Sequence, residues 1–162
     1  MHLHVHHGAA VSHKATPVKL TVTEHQLSAM EAAAWIAFRA RFVATKTNTI
    51  GWCFKSVKWA LKPFGIKLDG GEAWMAQEQL SSDDRFMKAS LDDLKAGDIL
   101  VHGKSVEHPF GHIAVYLGNS EEASDHVQAL VSGESYGGTM IFRLKSNVSF
   151  LSYRNAFRGR SA

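Results

Sequence analysis

The single cysteine of this 162-residue chain, Cys53, lies in Ile50-Gly51-Trp52-Cys53-Phe54-Lys55-Ser56-Val57, and a later Gly111-His112 step leads into Ile113-Ala114-Val115-Tyr116. A thiol and an imidazole in this order could form a nucleophile and its base. The thiolate is the attacking form, and a helix N-terminus with a nearby imidazolium lowers a thiol pKa from about 8.5 to roughly 3.5–7.5. Asn48 or Thr49 is suited to cap a helix starting near Trp52. Cys53, Val57, Ala60 and Leu61 recur at helical spacing, which puts the thiol in the first turn.

A third group follows from the turn after the histidine strand. Gly118-Asn119 suits a two-residue type II′ hairpin, which takes Gly at its first central position. Leu117 then pairs with Ser120, and the same register brings Asp125 opposite His112 on one side of the sheet. A carboxylate on one imidazole nitrogen fixes the tautomer and stabilises the imidazolium formed when the other nitrogen removes a thiol proton. Cys53, His112 and Asp125 are the expected catalytic set. A three-residue loop reverses the parity and offers Glu122, Ser124 or His126 instead.

The elements that must hold these groups divide the chain in two. The first half reads as helical: Thr23 to Thr45 with Thr23 as N-cap and Gln26 as its capping-box partner, the Cys53 helix ending near Pro63 to Gly65, and Glu72 to Leu80 after Gly70-Gly71. The second half changes period. Strands are predicted at Asp98 to His102 after Ala96-Gly97, Ile113 to Leu117, Ala123 to Val131, Met140 to Leu144 and Val148 to Tyr153. Helices grouped before an antiparallel sheet indicate an α+β domain. Residues 1–21 are irregular and histidine-rich and read as an N-terminal arm, with one domain over 22–162.

Composition narrows the function classes. A hydrophobic content of 45% permits one good core, and no apolar run approaches the roughly 18 residues of a membrane span. No secretory signal pattern opens the chain, so synthesis in the cytoplasm without a Sec signal is expected. One cysteine cannot form an internal disulfide and leaves a thiol free to react. The net charge of +3 is spread among acids, with only Arg154, Arg158 and Arg160 clustered, and no nucleic-acid motif appears. Such a surface suits approach to an anionic polymer such as a bacterial cell wall.

Each residue also has a bland reading. A lone cysteine on an apolar helix face is more often a small buried hydrophobe, and Asp125 could be a solvated strand-edge acid or a local cap. Gly97-Asp98 reads as a turn into a strand. The alternating His2, His4, His6 and His7 could bind a borderline metal if extended, yet an adventitious segment is the simpler reading. Trp35, Trp59, Trp74, Met75 and Met87 read as core or cleft-wall residues. Trp52 and His126, with His102 and His108, could touch substrate.

The Cys53 helix with Val57 and Ala60-Leu61, the run Leu94-Lys95-Ala96-Gly97-Asp98-Ile99, and Phe110-Gly111-His112-Ile113-Ala114-Val115-Tyr116-Leu117-Gly118 together resemble the NlpC/P60 and CHAP group of papain-like cysteine peptidases and amidases. Ser124-Asp125-His126-Val127-Gln128 is similar, more narrowly, to bacterial amidase toxins and phage-type lysins. The resemblance covers roughly residues 48–130. It implies a papain-like sheet packed on the cysteine helix, hydrolysis of an amide bond in peptidoglycan stem peptides or cross-bridges, and no metal or organic cofactor. Cys53 would then be the nucleophile, its backbone N–H part of the oxyanion hole, His112 the base and then acid, and Asp125 the orienting residue. The Asp-Cys-Ser triplet common in NlpC/P60 members is absent here.

The expected protein is therefore a thiol hydrolase acting on the wall through an acyl-enzyme. Without a Sec signal it is read as an exported antibacterial effector or lysin, released to act in the periplasm or wall and paired with an immunity protein in its producer. Two rivals stand beside it. One is a cysteine protease, deamidase or acyltransferase acting on a protein; the other is a non-catalytic module that binds peptidoglycan or a partner.

Overall fold

The computed structural model describes residues 25–152, so the predicted arm at 1–21 and the proposed cap Thr23 lie outside the described residues. Strand β1 (His25–Ser28) runs directly into α1 (Ala29–Thr47). This helix begins later than the pattern from Thr23 predicts, because residues 25–28 pair with β8 (Ser149–Ser152) in a two-stranded sheet. Its capping box is Ser28 with Glu31. The Glu31 carboxylate accepts the Ser28 N–H at 2.8 Å, and Ser28 Oγ accepts the Glu31 N–H at 3.3 Å. Asn48 ends α1 in the left-handed region, at φ 40°, and donates its N–H to the Ala44 carbonyl.

Helix α2 (Cys53–Leu61) follows at once, then a 3-10 turn at Lys62–Phe64. The helix expected at Glu72 to Leu80 divides into a 3-10 turn, Ala73–Met75, and a short α3 (Ala76–Ser81). Strand β2 (Phe86–Ala89) was not anticipated from its sequence. It is followed by β3 (Ile99–His102), β4 (His112–Gly118), β5 (Glu121–Ala123), β6 (Val127–Ala129) and β7 (Thr139–Leu144). These six strands form an antiparallel sheet in the order β2-β7-β3-β4-β5-β6. The architecture is α+β, as the change of period predicts.

Small residues bring the layers close. Ala32, Ile36, Ala40 and Ala44 of α1 and Val57, Ala60 and Leu61 of α2 share one buried cluster with Ile99, Val101, Ile113 and Val115 of the central strands. Each large aliphatic side chain there contributes roughly 1.5–3 kcal/mol by leaving water. Because alanines occupy the inner helix face, Trp35 and Trp59 are 41 and 44% exposed, and Met87, on the edge strand β2, is 49% exposed, which corrects their reading as core or cleft wall.

The Gly97-Asp98 turn is structural. Gly97 has φ 95°, and a Cβ there would overlap the Ala33 backbone of α1. The buried Asp98 carboxylate accepts two parallel bonds from Arg143 of β7, at 2.9 and 2.7 Å, and the Lys95 N–H at 2.8 Å. Bonding to Asp98 raises the Arg143 pKa, outweighing the effect of burial.

Candidate active site

The hairpin that supplies the third group uses a different loop from the predicted one. Asn119 and Ser120 are the two central residues, both with positive φ (53° and 58°), and Gly118 pairs with Glu121. A bulge then takes Leu117 out of the ladder, so Tyr116 faces Glu122 and Val115 faces Ala123. The loop shift and the bulge together reverse the predicted parity. Glu122 therefore emerges on the face shared by His112, Ala114 and Tyr116. The strand predicted over Ala123 to Val131 is also broken, since β5 turns at 124–126 and returns as β6, placing Gln128 opposite Glu122.

His112 opens β4, and its Nε2 lies 2.8 Å from Glu122 Oε1. The Glu122 carboxylate is wholly buried and accepts two further bonds, from Gln128 Nε2 at 2.8 Å and from the Val131 N–H at 3.2 Å. Burial pushes its pKa up, but these bonds and the His112 charge prevail and hold it below the ordinary carboxylate value. With Nε2 committed to Glu122, Nδ1 is the ring nitrogen left for Cys53, which lines the same cleft. Burial disfavours the imidazolium, yet the bonds and charges of Cys53 and Glu122 outweigh it and lift His112 to about 9.

Cys53 is the first residue of α2 and is partly buried against the core. The helix start is not capped by Asn48 or Thr49, as the sequence reading has it. Asn48 closes α1, and the Thr49 N–H bonds the Asp125 carbonyl at 3.2 Å. The cap residue is Trp52, whose N–H donates to Asp125 Oδ2 at 2.6 Å. Asp125 Oδ1 accepts from Ser124 Oγ at 3.1 Å and lies 3.0 Å from His126 Nδ1, and the Asp125 carbonyl accepts from Thr47 Oγ1 at 2.8 Å. Burial raises the Asp125 pKa, and the bonds led by the Trp52 N–H bring it below the usual value. The placement of Asp125 against His112 is thus corrected: the group on the ring is Glu122, while Asp125 ties the Cys53 helix to the hairpin.

Tyr136, which the sequence reading did not name, joins the wall, and His102 lies behind it. His102 is fully buried opposite His112 in the β3–β4 ladder, with ring centroids 5.7 Å apart and planes at 17°. Its Nδ1 lies 2.7 Å from Thr139 Oγ1, while its Nε2 has no partner. Burial, then the neighbouring His112 charge, lowers it to about 4 despite the opposing pull of Glu122, so His102 is neutral at ordinary pH. Tyr136 stacks on His108 at 4.2 Å and meets His102 in a tilted contact at 4.9 Å. The loop carrying Tyr136 was unassigned from sequence, and its one local signal is the glycine content of Gly133-Glu134-Ser135-Tyr136-Gly137-Gly138.

The cleft over Cys53 and His112 has a volume of about 680 Å³. Ile50, Trp52, Phe110 and Tyr136 contribute apolar surface to it, and His108, His126 and Gln128 contribute polar groups. Trp52, 51% exposed, and His126 thus stand where substrate contact was expected, whereas His102 lies beneath the lining. Among the described residues no cluster of His, Cys, Asp or Glu has metal-holding geometry, and no helix is long and apolar enough to cross a membrane. His2, His4, His6 and His7 lie outside them.

The sequence matches no family model and no curated protein. Two solved structures share the fold. One is a chain of the native type VI effector-immunity complex Tae3-Tai3 from Ralstonia pickettii, with TM-score 0.57 and 25% identity, covering 70% of this chain and 98% of that one. The selenomethionine form of the complex gives TM-score 0.56 and 23% identity, covering 67% of this chain and 98% of that one. The shared architecture spans nearly the whole length of those chains.

Proposed function

We propose that this chain is a papain-like thiol hydrolase that cleaves an amide bond in bacterial peptidoglycan peptides and serves as an antibacterial type VI effector. The observation that carries this reading is the His112 imidazole, held between the buried Glu122 carboxylate and the Cys53 thiol at the start of α2, beneath an open cleft. His112, raised to about 9 and so protonated at neutral pH, already holds the thiol's proton on Nδ1 as Cys53 Sγ attacks the scissile carbonyl. The charge of Glu122 favours the resulting imidazolium. The first-turn N–H groups of α2, Cys53 among them, have no partner within the helix and point toward the developing oxyanion. His112 then protonates the leaving amine, the C–N bond breaks, and a thioester remains. Water loses a proton to His112 and attacks the thioester, releasing the acid and the thiol.

The wall substrate is supported by the resemblance of the Cys53 and His112 segments to wall amidases and by the fold shared with chains of a type VI effector-immunity complex. On this reading the enzyme works in the periplasm of a target cell, and its producer holds a cognate immunity protein. The deciding experiment is mass spectrometry of peptidoglycan fragments after incubation with wild type and with Cys53→Ala. Fragments made only by the wild type identify the bond from their masses. No cleavage by a folded protein whose Cys53 alkylates rapidly would move the substrate from wall to protein.

A further inference from the structure

The charges around the cleft are unequally partnered, and the imbalance centres on Lys55. This residue lies in the first turn of α2 and lines the cleft, together with Trp52. Its ammonium sits over the Trp52 ring, 3.8 Å from the centroid, and 5.0 Å from that of Trp59. Both indoles are about half exposed, at 51 and 44%. Two aromatic faces thus hold the cation in place while leaving its hydrogen-bond donors without an anion. Among the described residues no carboxylate forms an ion pair with Lys55.

The one carboxylate lining the cleft is Asp125, and it is 2% exposed and fully engaged by Trp52, Ser124 and His126. Glu122 is buried behind His112 and committed to it. The open surface therefore presents the Lys55 ammonium with no exposed acid among the lining residues to balance it. A low-dielectric cleft walled by aromatic rings strengthens the pull of such a charge on an incoming anion.

We infer that Lys55 is a specificity-determining residue that binds a carboxylate of the substrate, so that the preferred substrate is an acidic peptide with a free carboxylate near the scissile amide. The inference rests on the proposed hydrolase reading and narrows it to acidic stem peptides over their amidated forms. Lys55 acts on binding rather than on the bond-breaking step, because its charge meets the substrate's carboxylate in ground and transition states alike.

Binding can be measured apart from cleavage. Cys53→Ala protein is titrated by calorimetry with two synthetic stem peptides that differ only in carrying a free carboxylate or the corresponding carboxamide. The acidic peptide binds roughly tenfold tighter, the size of one charge-assisted hydrogen bond at a partly exposed site, and the preference shrinks as salt is raised. Adding Lys55→Met brings the two affinities together, whereas Lys55→Arg, which keeps both the charge and the stacking on indole, preserves the difference. Equal binding of the two peptides, binding of neither, or a preference that survives Lys55→Met overturns the inference. Failure of the hydrolase reading shows separately, as wild-type protein that yields no Cys53-dependent fragments.

Discussion

His112 Nε2 and Glu122 Oε1 stand 2.8 Å apart, and the carboxylate is closed to solvent. A buried charge of this kind persists because the imidazolium and two further donors satisfy it. Glu122→Gln keeps the shape and removes the charge. His112, still buried, then titrates well below its present value of about 9, and turnover falls on the order of 10²- to 10⁴-fold. NMR titration of the His112 ring alongside peptidoglycan release checks both; an unmoved titration would remove Glu122 from its role.

Asp125 gives a contrasting result. Asp125→Ala deletes the tether to the Trp52 N–H and destabilises the fold by about 0.5–2 kcal/mol, as for a lost helix cap. Activity drops because the start of α2 loosens, while the His112 titration stays near its wild-type position. Chemical denaturation paired with the same NMR titration distinguishes a tether from an imidazole partner.

The two stacked histidines tilt stability in opposite directions with pH. His112 is raised from 6.5 to about 9, so its contribution is fully present below 6.5 and is lost as pH rises through 9. His102 is lowered to about 4, so between 6.5 and 4 the unfolded chain binds a proton that the folded one refuses, and stability falls as pH drops through that window. His102→Phe removes the acid-side slope and leaves the alkaline one. Urea midpoints measured from pH 4 to 9 for both proteins test the separation.

Gly133 packs against the wall of the site with no room for a side chain. A Cβ there would overlap Thr139 Oγ1 and come within 3.1 Å of His102 Nδ1. Gly133→Ala therefore disturbs the 2.7 Å contact between His102 and Thr139 and shifts the Tyr136 loop, at a cost of about 1–3 kcal/mol. A lowered melting temperature with weaker substrate binding is the expected result.

The helical positions around Cys53 and the strand after Gly111 were legible because period and turn chemistry are local. So was the grouping of helices before strands. The partner of His112 was not, because it depends on a one-residue loop shift and a bulge at Leu117, and neither has a sequence mark beyond an Asn that tolerates positive φ at position 119. Glu122 was accordingly an alternative offered by parity alone. The anchor of α2 was illegible for another reason: the N–H of its cap residue Trp52 is held by Asp125, from a hairpin remote in sequence. Tyr136 was missed because a loop held by backbone bonds between Gly103, Gly137 and Gly138 carries no periodic signal.

The segment from Glu122 to Asp125 supplies both the carboxylate on the imidazole and the anchor of the thiol's helix. During synthesis, Cys53 and its helix emerge long before that segment exists. A partial chain that ends before this segment has neither the carboxylate on His112 nor the tether of α2, so the arrangement around Cys53 forms only when the second half of the fold has closed. A local opening of this one hairpin in the finished protein would release the His112 ring and the start of α2 together, making the hairpin a single point of failure.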